Sequence, residues 1–214
     1  MSAPRTRRRD KLNPDPTVRR KILAAASTTL REGGIQGFSI AAVLERAALG
    51  TRAFYRHFGS KDELVAALFL EMAGEEERRL RRRMRSADTE IGAVAAWIDG
   101  RLDLAFDDTV KSDLRRVSLE AQTQMFASPN LIQPAYEQLL KPLGEALQRG
   151  LERGVFPHVD PIGDAQAIHG VAWAAIERQW VTGDRDRDDV RRRVLRFCLG
   201  GLGVGPEAIA RLSL

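Results

Sequence analysis

Few residues of this 214-residue chain are typed and spaced to make or break bonds. The three histidines, His57, His158 and His169, have no acid/base partner evident in the sequence, and the single cysteine, Cys198, excludes both an internal disulfide and a multi-cysteine metal site. Cys198 reads instead as a small buried apolar residue. There is no His-Glu-x-x-His, no paired Glu-x-x-His and no glycine-rich loop ending in Gly-Lys-Ser or Gly-Lys-Thr. The run GGLGVG at 200–205 contains a partial Gly-x-Gly, but it follows a helical pattern rather than a strand and so reads as a linker. No catalysis, metal or cofactor is expected. The chemistry that the chain does carry is polyanion binding. Residues 50–64, GTRAFYRHFGSKDEL, gather three cations, a histidine and the hydroxyls of Thr51 and Tyr55 into one short stretch.

Charge placement supports that reading. Residues 1–61 carry 13 Lys or Arg against four acidic residues, a net of +9, whereas residues 62–214 carry 21 basic and 25 acidic residues, a net of −4. A cationic N-terminal third on a mildly acidic body fits a nucleic-acid reader attached to something else. An architectural or nonspecific nucleic-acid protein would be basic throughout. Apolar content of 43% with no long uninterrupted apolar run fits a globular protein with no membrane span. The basic N-terminus has no apolar stretch of the signal-peptide kind, so a cytoplasmic location is expected.

The elements that must position this stretch follow from periodicity and caps. Residues 1–14 lack apolar periodicity and read as a disordered arm. Asp15-Pro16 starts a first helix whose stripe is Val18, Ile22, Ala26 and Leu30, and Gly33-Gly34 ends it. Ser39 caps a second helix with Ile40, Val43, Leu44 and Ala47 on one face. After Ala48-Leu49-Gly50 comes a two-turn third helix, stopped by Gly59. Ser60-x-x-Glu63 is a capping box for a fourth. There Leu64, Val65, Leu68, Phe69 and Met72 define an inner face, and EEERRLRRR reads as a charged outer surface with Glu75–Arg79 and Glu77–Arg81 pairs. Further helices are expected at 88–106, 109–127, 131–153, 161–182 and 187–199, with a short one from Pro206. Gly200, Gly201, Gly203 and Gly205 read as a flexible joint. The class is all-α, with a disordered basic arm at 1–14, a helix-turn-helix domain at 15–62 and a larger helical domain at 63–214.

Phe54 and Phe58 lie one turn apart, so the third helix can turn both toward the core while Thr51, Arg52, Tyr55 and Arg56 face elsewhere. A two-turn helix with donors in front suits a DNA major groove. Gly50 permits close approach of the backbone to a phosphate.

The segment GFSIAAVLERAALGTRAFYRHFGSKDELVAALF resembles the DNA-binding part of TetR-type one-component transcriptional regulators, from about Val18 to Leu70. The likeness rests on Phe38-Ser39, Tyr55-x-His57-Phe58 and Ser60-Lys61-x-x-Leu64. It implies that Thr51, Arg52 and Ala53 face base edges. Tyr55, His57 and Lys61 would hold phosphates, Arg56 would reach either, and Ser39 at the entry to the second helix would join the DNA contacts. His57 as a packing residue, Tyr55 as core and Lys61 as an uninvolved lysine are the alternatives. Ala48 stands where the family usually has glycine, which leads to the expectation of no positive φ in this turn. The arm residues Arg5, Arg7, Arg8, Arg9 and Lys11 either reach an adjacent groove or remain a solvated tail.

Beyond Leu70 only the architecture resembles the family. The likeness implies a homodimer formed by the two long C-terminal helices, through Ile168, Ala172, Ile176, Trp180, Val190, Val194 and Phe197. Both helices as plain core is the alternative. It also implies an effector cavity, for which the candidate walls are Trp97, Phe106, Met125, Phe126, Tyr136, Leu140 and Trp173, and the candidate polar groups are Gln122, Gln124, His169 and Glu177. Double-stranded DNA with a palindromic operator and a small, apolar or aromatic effector are the expected partners. Repression with release by that effector is the expected activity, and control by a protein partner without a small-molecule ligand is the rival. The fourth helix would connect the two functions.

Overall fold

The computed structural model describes residues 15–34, 37–107, 118–121, 123–124, 128–183 and 186–212. All regular structure among them is helical: α1 Pro16–Gly33, α2 Ile40–Ala47, α3 Thr51–His57, α4 Lys61–Met84, α5 Glu90–Phe106, α6 Pro129–Glu152, α7 Pro161–Thr182, α8 Arg187–Gly201 and α9 Pro206–Arg211. Residues 118–121 and 123–124 are also helical, and the rest of the expected 109–127 helix lies outside the described residues. The chain divides into two compact units, Met1–Leu68 and Phe69–Leu214.

Local chemistry sets the ends of the helices. Asp15 Oδ1 accepts the Thr17 N–H at 2.8 Å, with Pro16 at the first helical position, and Asp160 Oδ1 accepts the Ile162 N–H at 3.2 Å ahead of Pro161. Each cap satisfies one of the donors that a helix start leaves open. Ser60 Oγ accepts the Glu63 N–H at 3.1 Å. The Glu63 carboxylate reaches back to the N–H of Gly59 at 2.6 Å, one residue earlier than a strict capping box requires. The turn after α2 corrects the sequence expectation. Ala48 is left-handed, with φ 50° and ψ 50°, and is the one non-glycine residue at positive φ among those described. Its N–H donates to Glu45 O at 3.1 Å and the Leu49 N–H donates to Leu44 O at 3.0 Å, which together form a Schellman closure. Those two bonds hold alanine in a conformation that glycine adopts without strain.

In the first unit α1 packs on α2 and α3, and Ile22, Ala26, Leu30, Phe38, Val43, Leu44, Phe54 and Phe58 are buried. In the second, α5 packs on α6, α7 and α8 around Val94, Trp97, Ile98, Leu102, Leu143, Leu147 and Ile176. Gly150 permits one close approach there: a Cβ at that position would stand 2.1 Å from Phe156 Cδ2.

Three further expectations change. Ile168, Ala172, Ile176, Val190 and Val194, assigned to a dimer surface, are buried within the single chain. A wide apolar stripe admits either face as the inner one, and these residues sit on the side of α7 and α8 that this body itself covers. The glycine-rich joint begins as helix, since Gly200 and Gly201 close α8, and Leu202 and Val204 beyond it are buried. The charged surface of α4 is also partly interior: Glu76 and Glu77 are buried beside Leu80. Glu77 pairs with Arg81 at 2.6 Å as expected, but Arg79 turns to Glu76 instead of Glu75.

Candidate nucleic-acid interface and body cavity

The reader segment is built backward from its buried side. Phe54 and Phe58 are buried with ring centroids 5.8 Å apart, which fixes the rotation of α3 about its axis. Helical phase then sends Thr51, Arg52, Tyr55 and Arg56 outward, and all four are exposed, Tyr55 to 63%. Tyr55 rests edge-on against Phe54 at 5.2 Å, so it is an outward aromatic with an anchored ring. Ala53 is half-buried. Lys61 is exposed and its Nζ lies 5.7 Å from the centroid of the Phe38 ring. Arg19 of α1 lies 5.3 Å from the centroid of the Phe58 ring. Among the described residues none of Arg52, Arg56 and Lys61 pairs with a carboxylate, so their charge is available to a polyanion.

Two site candidates have local duties. Ser39 Oγ accepts the Ala42 N–H at 3.1 Å and so caps α2. His57 is half-buried and its Nδ1 is enclosed with no hydrogen-bond partner. A Cβ at Gly50 would meet nothing within 4 Å, so the glycine is not there to relieve crowding inside the chain. The arm residues Arg5 to Lys11 lie outside the described residues.

The second unit contains a cavity of ≈ 100 Å³ lined by Phe69, Met72, Ala73, Glu76, Arg101, Ser118, Ala121, Ile132, Ala135, Tyr136, Leu139, His169 and Trp173. Of the sequence candidates it brings together Tyr136, His169 and Trp173, with the His169 ring 5.2 Å from Tyr136 and 6.4 Å from Trp173. Trp97 and Leu140 are core residues outside this lining, Phe106 packs against the core, and Glu177 is exposed. Gln122, Met125 and Phe126 lie outside the described residues, and Gln124 bonds Glu120 at 3.5 Å.

Sequence reasoning missed the charged end of this cavity. Arg101 is 4% exposed and its Nη1 donates to Glu76 Oε1 at 3.0 Å. Arg79 grips the same carboxylate, Nε to Oε2 and Nη2 to Oε1, both at 2.8 Å. These cations hold Glu76 below the usual carboxylate range against the opposing effect of its burial. Desolvation pushes Arg101 down from its ordinary value. Burial, reinforced by the Arg101 charge, lowers His169 to about 3, so its imidazole is neutral at neutral pH. One signal was available: Arg101 is the lone cation in the apolar helix EIGAVAAWIDGRLDLAF.

Residues 22–68 match the family model for bacterial regulatory proteins of the tetR family. Over that segment the chain is similar to the DNA-binding part of TetR-type regulators of transcription. The described residues have the all-α fold of solved structures that include the fatty acid degradation regulator FadR from Bacillus halodurans. That pair is 23% identical over 86% of this chain and 96% of the other, with a TM-score of 0.63. FadR from Bacillus subtilis in complex with stearoyl-CoA is 22% identical over 85% and 98%, with a TM-score of 0.65. RolR in complex with resorcinol is 20% identical over 92% and 93%, with a TM-score of 0.66. At these identities the likeness speaks to fold alone. No curated protein matches the chain by sequence. Among the described residues no helix is long and apolar enough to cross a membrane.

Proposed function

We propose that the chain is a ligand-released repressor that binds a palindromic operator as a homodimer. The observation that carries the DNA reading is the division of α3 by helical phase: buried phenylalanines behind, and exposed Thr51, Arg52, Tyr55 and Arg56 in front with no carboxylate partner among the described residues. In this reading Thr51, Arg52 and Ala53 face base edges, with Arg52 suited to guanine O6 and N7. Tyr55, His57 and Lys61 hold the backbone on either side of that contact, and Arg56 reaches either backbone or base.

A second copy would cover the outer face of α7 and α8, where Val181 is 86% exposed and Phe197 69% exposed, and where Ala174 and Arg178 are exposed too. A two-fold axis through that face would give two readers and hence a two-fold related operator. A small molecule is favoured over a protein partner as the releasing signal because the body holds a cavity with buried polar groups in its wall. The likeness to folds that hold resorcinol and stearoyl-CoA supports the same choice. Release would follow population shift: the effector prefers the body conformation in which the readers no longer match the operator. Helix α4 contributes Phe69, Met72, Ala73 and Glu76 to the cavity wall and runs unbroken from Lys61, so it is the element that would carry the signal.

The test is selection of bound duplexes from a random pool by full-length protein, then anisotropy with the selected operator. Arg52→Ala should cost about 1–3 kcal/mol and relax base preference at one position in each half-site. Unchanged selectivity in Arg52→Ala, or a selected consensus without two-fold symmetry, would overturn the assignment.

A further inference from the structure

The cavity wall holds an unmet demand for an acceptor. Arg101 and His169 are both more than nine-tenths buried, and both carry a nitrogen without a hydrogen-bond partner, Nε of Arg101 and Nδ1 of His169. Buried donors are almost always paired, and a guanidinium N–H cannot become an acceptor to escape the requirement. His169, being neutral, can present Nδ1 as a donor in one tautomer.

Charge around the cavity points the same way. Arg101 and Arg79 share Glu76, while Arg79, Arg83 and Arg187 converge on Asp103 at 3.4, 2.6 and 3.0 Å. Among the described residues four guanidiniums meet two carboxylates in one connected network, whose Arg101 and Glu76 line the cavity. Asp99, the next acid along α5, is bound to Arg191 at 2.6 Å and adds nothing to the balance.

Apart from Ser118 and the Glu76 carboxylate, which Arg79 and Arg101 hold, the remaining walls are apolar and aromatic, with Phe69, Met72, Ile132, Tyr136, Leu139 and Trp173 among them. A volume of ≈ 100 Å³ is of the order of an engineered cavity that takes one benzene, and far short of a long acyl chain. We propose that the effector of this protein is a small aromatic monocarboxylate, its ring against Tyr136, His169 and Trp173 and its carboxylate accepting from Arg101 and His169. This rests on the reading of the body as an effector domain and names the class of molecule for the same cavity. It narrows the expectation of an apolar or aromatic effector, because a ligand without an acceptor would leave both nitrogens unpaired.

The experiment is calorimetric titration of the full-length protein with benzoate and with benzamide, the neutral molecule of the same shape. Benzoate is expected to bind at least tenfold more tightly than benzamide. Arg101→Gln should abolish that preference, and Arg101→Lys, which keeps the charge but lacks Nε, should retain only part of it. His169→Phe keeps a ring in the aromatic cluster and should weaken benzoate severalfold while leaving benzamide within twofold. If Arg101→Gln does not fold, the wild-type ratio and His169→Phe decide. Equal affinity for the two probes, or no benzoate binding at millimolar concentration, overturns the proposal. Operator release is scored separately: benzoate bound through Arg101 without release refutes the regulatory reading and keeps the ligand class. Release by benzamide but not by benzoate does the reverse.

Discussion

Replacing Ala48 with glycine should stabilise this protein, although glycine usually weakens a helical one. Ala48 holds φ 50° at the end of α2, where an L side chain crowds the following carbonyl at a cost of about 1–2 kcal/mol. Glycine removes that strain but adds about 0.4–1 kcal/mol through the greater freedom of the unfolded chain. The side chain is exposed, so no packing is lost. The balance is a gain of about 0.5–1 kcal/mol, or roughly 1–4 °C in melting temperature for a chain of this size. The control is Ala24→Gly, an exposed position inside α1 with ordinary helical backbone, where a loss of about 1 kcal/mol is expected. Melts of the full-length variants followed by far-UV circular dichroism compare the two. If Ala48→Gly loses as much as Ala24→Gly, the left-handed turn between α2 and α3 is not present. The Schellman closure that aims the reader helix would then be wrong as well.

Gly150→Ala should cost about 1–3 kcal/mol by driving a methyl into the Phe156 ring, and Phe156→Leu in the same chain should restore part of it in urea titrations. His169 makes stability pH-dependent: its folded value of about 3 lies below the unfolded value near 6.5, so its contribution is full above 6.5 and is lost as pH falls toward 3. Between pH 7.5 and 5.5, above the range in which the carboxylates titrate, this amounts to about 1.4 kcal/mol, and His169→Phe should flatten that slope in chemical denaturation. Phe197→Glu should leave the fold intact, because the ring is 69% exposed. It should weaken self-association about 100-fold or more by sedimentation, from about 1.5–3 kcal/mol lost on each of two copies.

Much of the reader was legible because its information is local. The caps at Asp15, Ser39 and Ser60 act within three residues, and the one-turn spacing of Phe54 and Phe58 fixes which side chains of α3 share a face. The same locality explains α7, whose start at Asp160-Pro161 and stop at Gly183 coincide with the expected 161–182. The cavity was less legible. Tyr136, His169 and Trp173 were named as aromatic candidates, but nothing in their spacing separates them from Trp97, which lies in the core.

By itself the amino-acid sequence determined the helices α1 to α9 among the described residues, most of their caps, the basic reader and the outward donors of α3, since each follows from contacts along one helix. Tertiary structure decided the rest. It turned Ile168, Ala172, Ile176, Val190 and Val194 inward, and it forced Ala48 into the left-handed region to join α2 to α3. It also brought Glu76 to Arg101 across 25 positions of chain. Helical periodicity says which residues share a face, but only the neighbouring helices settle which face is covered and which charges meet beneath it.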